Sequence, residues 1–282
     1  MTREPRLATL YIVATPLGNL SDLSPRAAQV LREVPVVAAE DTRRTRQLLH
    51  HLDAHPRLLS FHAHSEPAKL EALVAELERG HDLALVSDAG TPGVSDPGAN
   101  LVRTVRERGG RVVPIPGPSA VTTALSASGF SADRFMFLGF LPRKGSERRQ
   151  RLDQIARSDV TVVLFEAPPR LVALLNDLAQ AAGPVRRVAV ARELTKVHEE
   201  FRVGSAAELA DYYDETEPRG ECTVVVEGEA QAVEPAPDPD AARGLATRLL
   251  ATGVTRREAA RQLALETGLS RNEAYRLVME LS

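Results

Sequence analysis

The segment DLALVSDAGTPGVSDPG, residues 82–98, passes from an apolar run straight into a loop of glycine, proline, serine and aspartate. Residues 82–86 read as a strand, and the helical pattern LVRTVRERG begins only at Leu101. The same alternation repeats on either side of it. LATLYIVAT precedes PRAAQVLREV, VVAA precedes RRTRQLLHHL, RLLSF precedes PAKLEALVAELERG, and RVVPI at residues 111–115 closes the series. Strands alternating with helices over the first 130 residues predict an α/β fold with a mostly parallel sheet covered by helices. Ligands in such sheets bind beyond the carboxyl ends of the strands, so the loop at 87–98 and the loop PGPSA at 116–120 are expected to face one cleft.

A second series starts near Arg134. FMFLGFLP, a charged helical segment, VTVVLFEA, a helix over 169–182, RRVAVAREL, a helix near 206–213 and ECTVVVEGE read as a second α/β domain with a mixed or partly antiparallel sheet. Composition changes at AQAVEPAPDPDAA, where three prolines and three acids argue for a linker. Beyond it lie three short helical patterns. Thr255 with Glu258 and Ser270 with Glu273 have capping-box spacing at the start of amphipathic runs, and a turn containing Gly268 joins them into a helix-turn-helix-like module. Such a module serves either as a packing appendage or as a nucleic-acid contact. The predicted organisation is an N-terminal α/β domain over 1–118, a C-terminal α/β domain over 119–230, a linker over 231–241 and the helical module over 242–282.

A chain of 282 residues that is 43% hydrophobic can bury a large core. The opening MTREPRLATLYIVATP lacks the long apolar region of a signal peptide, and no run approaches the roughly 20 apolar residues of a membrane span, so a cytoplasmic protein is expected. The single cysteine, Cys222, excludes an intrachain disulfide and sits in an apolar run that favours packing over reactivity. With 35 basic against 38 acidic residues, any nucleic-acid contact must come from local clusters.

Within the loop at 87–98, small residues let backbone approach a ligand, while Ser87, Asp88, Thr91 and Ser95 offer short hydrogen-bonding side chains. An elaborate surface turn would draw on the same residue types. Neither GxxxxGK[ST] nor, after the first strand, GxGxxG is present, so ATP and NAD are poorly supported.

Six motifs follow in order: LYIVATPLGNLSDLSPRA (10–27), AAEDTRRTRQLL (38–49), SDAGTPGVSDPG (87–98), PIPGPSAVTTALSASG (114–129), GFLPRKGSERR (139–149) and ARELTKVHEEF (191–201). Together they resemble the ribosomal RNA small subunit methyltransferase I family, a bacterial branch of the tetrapyrrole methylase superfamily, over nearly the whole chain. The resemblance implies a two-domain α/β fold, usually dimeric, with S-adenosylmethionine in the interdomain cleft. It implies 2′-O-methylation of a cytidine ribose in the decoding region of 16S rRNA, and so 16S rRNA or the 30S subunit as partner. Carried over residue by residue, cofactor contact falls on Gly90, Thr91, Val94, Ser95, Ser119 and Ala120, with Phe165, Glu166, Ala191 and Thr223 from the second domain. The first loop departs from the corrin and porphyrin methylases, whose first loop is glycine-rich, contains an aspartate and faces the macrocycle. Here it reads TPLGNLSD, and Pro16, Gly18 and Asn19 suggest a site reshaped for another acceptor.

Methyl transfer from a sulfonium releases a neutral thioether, which leaves positioning of the 2′-oxygen and removal of its proton as the protein's tasks. The candidate catalytic groups are Glu40, Asp41 and Glu193, with Asp88 and Glu166 also within the motifs. Glu40 and Asp41 serve equally as helix N-terminal caps ahead of TRRTRQLL, and Glu193 as a salt-bridge partner of Arg192 or Lys196. Phosphate contact is expected from Arg43 and Arg44 in TRRTR and from Arg143, Lys144, Arg148 and Arg149 in RKGSERRQR, although charge runs also form plain solvated faces. Aromatics make up only 4% of the chain, so recognition by shape and backbone is expected. Five histidines fall between His50 and His64, but HxH at His62 and His64 lacks co-ligands at familiar spacing, and no metal is expected. Two other functions fit parts of the pattern: a porphyrin or corrin C-methyltransferase, and a noncatalytic RNA-binding ribosome-assembly protein.

Overall fold

The structure is a computed structural model that describes residues 7–62, 67–229, 239–267 and 269–281. Two compact units divide the chain at Gly228/Glu229. In the first, five parallel strands, β1 (Thr9–Val13), β2 (Val36–Ala39), β3 (Arg57–Ser60), β4 (Leu83–Val86) and β5 (Arg111–Ile115), form a sheet in the order β3-β2-β4-β1-β5. VVAA and LALV are buried at every position, as central strands of a parallel sheet must be when helices cover both faces. Helices α1 (Pro25–Glu33) and α2 (Thr42–His51) cover one face, and α3 (Pro67–Glu78) and α4 (Ala99–Glu107) the other.

This strand order makes the site. From β1 the chain crosses to β2 on one side, whereas from β4 it crosses to β5 on the other. Neighbouring β1 and β4 therefore send their connections in opposite directions and leave a crevice at their carboxyl ends. Thr15 and Gly90 close it with paired backbone bonds, Thr15 N–H to Gly90 O at 2.9 Å and Gly90 N–H to Thr15 O at 3.0 Å. Gly90 has φ +81°, a left-handed backbone that glycine adopts without Cβ strain.

The second sheet holds β6 (Phe135–Phe140), β7 (Thr161–Glu166), β8 (Arg187–Arg192), β9 (Glu200–Ser205) and β10 (Cys222–Val226) in the order β6-β7-β10-β8-β9. Only β6 and β7 run parallel; the other pairs are antiparallel, so the sheet is mixed. β9 is absent from the sequence reading because EFRVGS is half-exposed and without a continuous apolar face. Helices α6 (Ser146–Ala156), α7 (Leu171–Ala182) and α8 (Ala206–Glu215) cover one side, and α5 (Ala120–Ser128) packs on the other through Val121, Ala124 and Leu125. The helix expected from residue 169 begins at Leu171, after a 3-10 turn at Pro168–Arg170.

The second unit carries α9 (Pro239–Ala251), α10 (Arg256–Thr267) and α11 (Arg271–Glu280) around a small core of Ala246, Ala259, Leu263, Ala274 and Val278. Helix α9 begins inside the segment 231–241 read as linker, because proline suits the first turn of a helix and stops nothing there. Residues 231–238 and Gly268 lie outside the described residues. Ser270 and Glu273 form the expected reciprocal capping box, and Thr255 accepts the Glu258 N–H at 3.3 Å.

Candidate functional site

Beyond the carboxyl ends of β1 and β4 lies a cavity of about 470 Å³. One wall is the loop after β4, with Gly90, Thr91, Val94, Ser95 and Asp96. A second is Ser119, Ala120 and Val121 at the start of α5, where the Ser119 hydroxyl makes no capping bond. The third comes from the second sheet: Phe165 and Glu166 at the end of β7, and Cys222 and Thr223 on β10. The walls meet closely. Thr91 Oγ1 donates to Pro118 O at 3.2 Å, and a Cβ on Gly139 would stand 2.8 Å from Ser95 Oγ, so glycine at the β6 bulge lets the second sheet reach the loop.

Nine of the ten residues assigned to cofactor contact line this cavity: Gly90, Thr91, Val94, Ser95, Ser119, Ala120, Phe165, Glu166 and Thr223. Ala191 does not. It pairs with Thr223 on the far side of β10 and is buried with Ala124 and Leu125 beneath α5, one strand removed from the cavity wall. Glu166 is 2% exposed; its Oε1 accepts the Ala167 N–H at 2.8 Å. Its Oε2 stands 3.2 Å from Arg170 Nη2 as an ion pair but accepts no hydrogen bond. Burial pushes the Cys222 thiol up to about 12, so it stays protonated.

The three proposed acid–base residues separate. Glu40 lines the cavity. Its carboxyl is raised above the ordinary range by burial and then by the negative charges of Asp96 and Asp88, with Arg44 opposing. Asp41 is instead the N-cap of α2, accepting the Arg43 N–H at 2.8 Å and pairing with the Arg43 guanidinium at 2.7 Å. Those Arg43 hydrogen bonds hold it down at about 2, too acidic for a useful base near neutrality. Glu193 lies outside the cavity wall. It accepts Lys196 Nζ at 2.7 Å and the Glu221 N–H at 3.0 Å, and these outweigh burial to keep its carboxyl below the ordinary range. Its work is to clasp a loop in which Glu193 (φ 52°) and Thr195 (φ 67°) both take left-handed backbone. Lys196 in that loop lies close over the first loop, where a Cβ on Gly18 would run into its side chain and push it aside.

Sequence reasoning missed Asp96. It lines the cavity, and burial pushes its carboxyl up to about 6, against the Ser87 hydroxyl and with the help of Asp88. Its place in a polar, glycine- and proline-containing turn gave no sign of that burial. A second cavity of about 370 Å³ lies between the first loop (Thr15 to Gly18 and Leu20) and α2. It shares Leu17, Arg44 and Asp88 with the larger one.

The basic candidates also separate. Arg44 lies at the junction of the two cavities, 3.8 Å from Asp88. Arg43 is exposed but paired with Asp41. Arg143, Lys144 and Arg149 are exposed. Arg148 is not available to a phosphate: its side chain is 11% exposed, and its guanidinium donates twice to Asp177 at 2.6 and 2.9 Å and once to Pro142 O at 3.0 Å, tying α6 to α7. Among the described residues no group of three His, Cys, Asp or Glu could hold a metal, and His64 lies outside them. Among them too, no helix is long and apolar enough to cross a membrane.

Residues 9–210 match the model of the Tetrapyrrole (Corrin/Porphyrin) Methylases. The chain is 44% identical to ribosomal RNA small subunit methyltransferase I of Synechocystis sp., over 98% of this chain and 99% of that one. It is 45% identical to the protein of the same name from Escherichia coli, over 96% and 94%. Among solved structures, a cobalt precorrin-4 methyltransferase superposes with TM-score 0.61 at 16% identity over 78% of this chain and 94% of its own. A uroporphyrin-III C-methyltransferase from Thermus thermophilus, complexed with S-adenosyl homocysteine, superposes with TM-score 0.57 at 19% identity over 78% and 97%. On a family match over residues 9–210 and near-full-length identity above 40%, the chain belongs to the tetrapyrrole methylase family, in its ribosomal RNA small subunit methyltransferase I branch.

Proposed function

We propose that the chain uses S-adenosylmethionine to methylate the 2′-hydroxyl of a cytidine ribose in the decoding region of 16S rRNA. The observation that carries this reading is a pair of cavities meeting at Leu17, Arg44 and Asp88, one fit for the methyl donor and one for the acceptor nucleotide. The larger has the size of a cofactor site and mixes apolar walls (Leu17, Val94, Phe140, Phe165) with a few polar groups. The Glu166 oxygen that accepts no hydrogen bond suits a hydroxyl or ammonium donor, and the left-handed glycine loop lets backbone approach a ligand.

S-adenosylmethionine supplies an activated methyl whose sulfur departs as a neutral thioether. The residues of this chain then have two tasks. Arg44, at the junction, is placed to hold a backbone phosphate of the acceptor strand. Glu40 and Asp96 line the larger cavity with carboxyls raised by burial, so either can take the proton of a hydroxyl presented to the methyl there and return it to water.

The test is radiolabelled methyl transfer to purified small subunits, with porphyrin and corrin precursors in parallel, followed by digestion to nucleosides. Label in 2′-O-methylcytidine is expected. Label on a tetrapyrrole, or on a base, would overturn the assignment.

A further inference from the structure

The C-terminal unit is charged unlike the rest of the chain. From Pro239 to Ser282 it has seven arginines against five acids, within a protein whose net charge is −3. Helix α11 sorts its charges by face. At 100° per residue, Ala274, Leu277 and Val278 point into the unit's core, while Arg271, Tyr275, Met279, Asn272 and Arg276 fill a continuous arc of about 140° on the exposed side. No acid lies in that arc. Glu273 and Glu280 stand at its edge and are engaged: Glu273 in the capping box with Ser270, Glu280 3.9 Å from Arg243. Tyr275 and Met279 are 48% and 44% exposed, and among the described residues Arg271 makes no ion pair.

We infer that this face of α11 is a second RNA-binding surface, acting with the catalytic cleft on the same small-subunit substrate; it rests on the function proposed above. Arg271, exposed and in no ion pair among the described residues, and Arg276, exposed although Glu273 stands one turn back, complement a polyanion. Tyr275 between them offers a stacking face for an unpaired base, and Asn272 a hydrogen-bonding amide. The arc begins in the first turn of the second helix of a helix-turn-helix, the position from which such modules reach nucleic acid. Such a surface holds substrate without touching the reacting atoms, so it acts on KM and not on kcat.

The experiment uses the full chain with R271E/R276E, Y275A and R271K/R276K. Glutamate near a helix N-terminus is well tolerated, so the reversal at Arg271 leaves α11 intact. For R271E/R276E the KM for small subunits is expected to rise about tenfold or more, and the slope of log affinity against log salt to flatten by about 1.4 to 1.8, two lost phosphate contacts. Cofactor affinity and kcat at saturating subunits stay unchanged, R271K/R276K stays near the parent, and Y275A raises KM with an unchanged slope. Unchanged KM and slope in R271E/R276E would overturn the inference. So would a change in oligomeric state by light scattering, or a KM rise seen equally in R271K/R276K, because either would make the face a protein contact. If the unsubstituted chain transfers no methyl to subunits, the proposed function fails instead. Binding of a labelled 16S rRNA fragment, which needs no turnover, then still decides whether this surface holds RNA.

Discussion

Replacing Asp96 by asparagine should make the protein more stable and less active at once. The Asp96 carboxyl rises from an ordinary 3.8 to about 6, first because burial penalises its charge and further because Asp88 is near. A carboxyl whose pKa rises on folding binds its proton more tightly in the folded chain, so its ionisation opposes folding. The cost is absent below pH 3.8, grows between there and about 6, and is complete above. The full lift corresponds to roughly 3 kcal/mol. Asp96 is only half-buried, and solvent screening cuts this to ~1 kcal/mol. Asp96→Asn should therefore raise stability at pH 7.5 by that amount, a rise of about 2–4 °C in melting temperature, with the gain vanishing as pH falls towards 4. Urea and thermal unfolding of both proteins at several pH values measure it. Methyl transfer should fall by about 10²-fold or more if Asp96 takes the proton. Equal stability at pH 7.5, or a difference that does not change with pH, would refute the argument that the folded cavity strains this carboxylate.

Gly90→Arg should abolish calorimetric binding of S-adenosylmethionine in a folded protein, because the side chain enters the cavity from a backbone that leaves 3.3 Å to Leu17 and 3.7 Å to Pro118 O even for a Cβ. Arg148→Glu should behave as a stability variant: it faces Asp177 with a like charge and costs about 2 kcal/mol in thermal unfolding, below the fully buried range because Asp177 is 36% exposed. By contrast R143E/R149E should leave the melting temperature alone and weaken subunit binding with a flatter salt dependence; normal methylation across a salt series would make that patch a solvated helix face. We also propose a homodimer in which basic segments of one chain support RNA at the cleft of the other. Mixing Gly90→Arg subunits with R143E/R149E subunits should restore activity that neither has alone, and a fully active monomer in light scattering would end that proposal.

What the sequence determined by itself is local or periodic. The alternation of strands and helices, the parallel first sheet and mixed second sheet, the Ser270–Glu273 capping box and the glycine loop after β4 follow from 2- and 3.6-residue periodicity and from turn chemistry, all written within a few residues. The loop residues Gly90, Thr91 and Ser119 therefore line the cavity that their composition pointed to. Tertiary structure decided everything that depends on what lies opposite. Neighbours in one motif, Arg148 and Arg149 had the same reading, yet only Arg148 meets Asp177 across α6 and α7. Ala191 and Thr223 pair across one ladder, yet only Thr223 reaches the cavity, because a wall is set by strand order and not by strand content. Glu40 and Asp41 differ by one residue. The chain turns between them, sending one carboxyl into the cavity beside Asp96 and Asp88, where burial raises it, and the other to the end of α2, where Arg43 holds it down. Burial and charge act through space, so those pKa values belong to the fold.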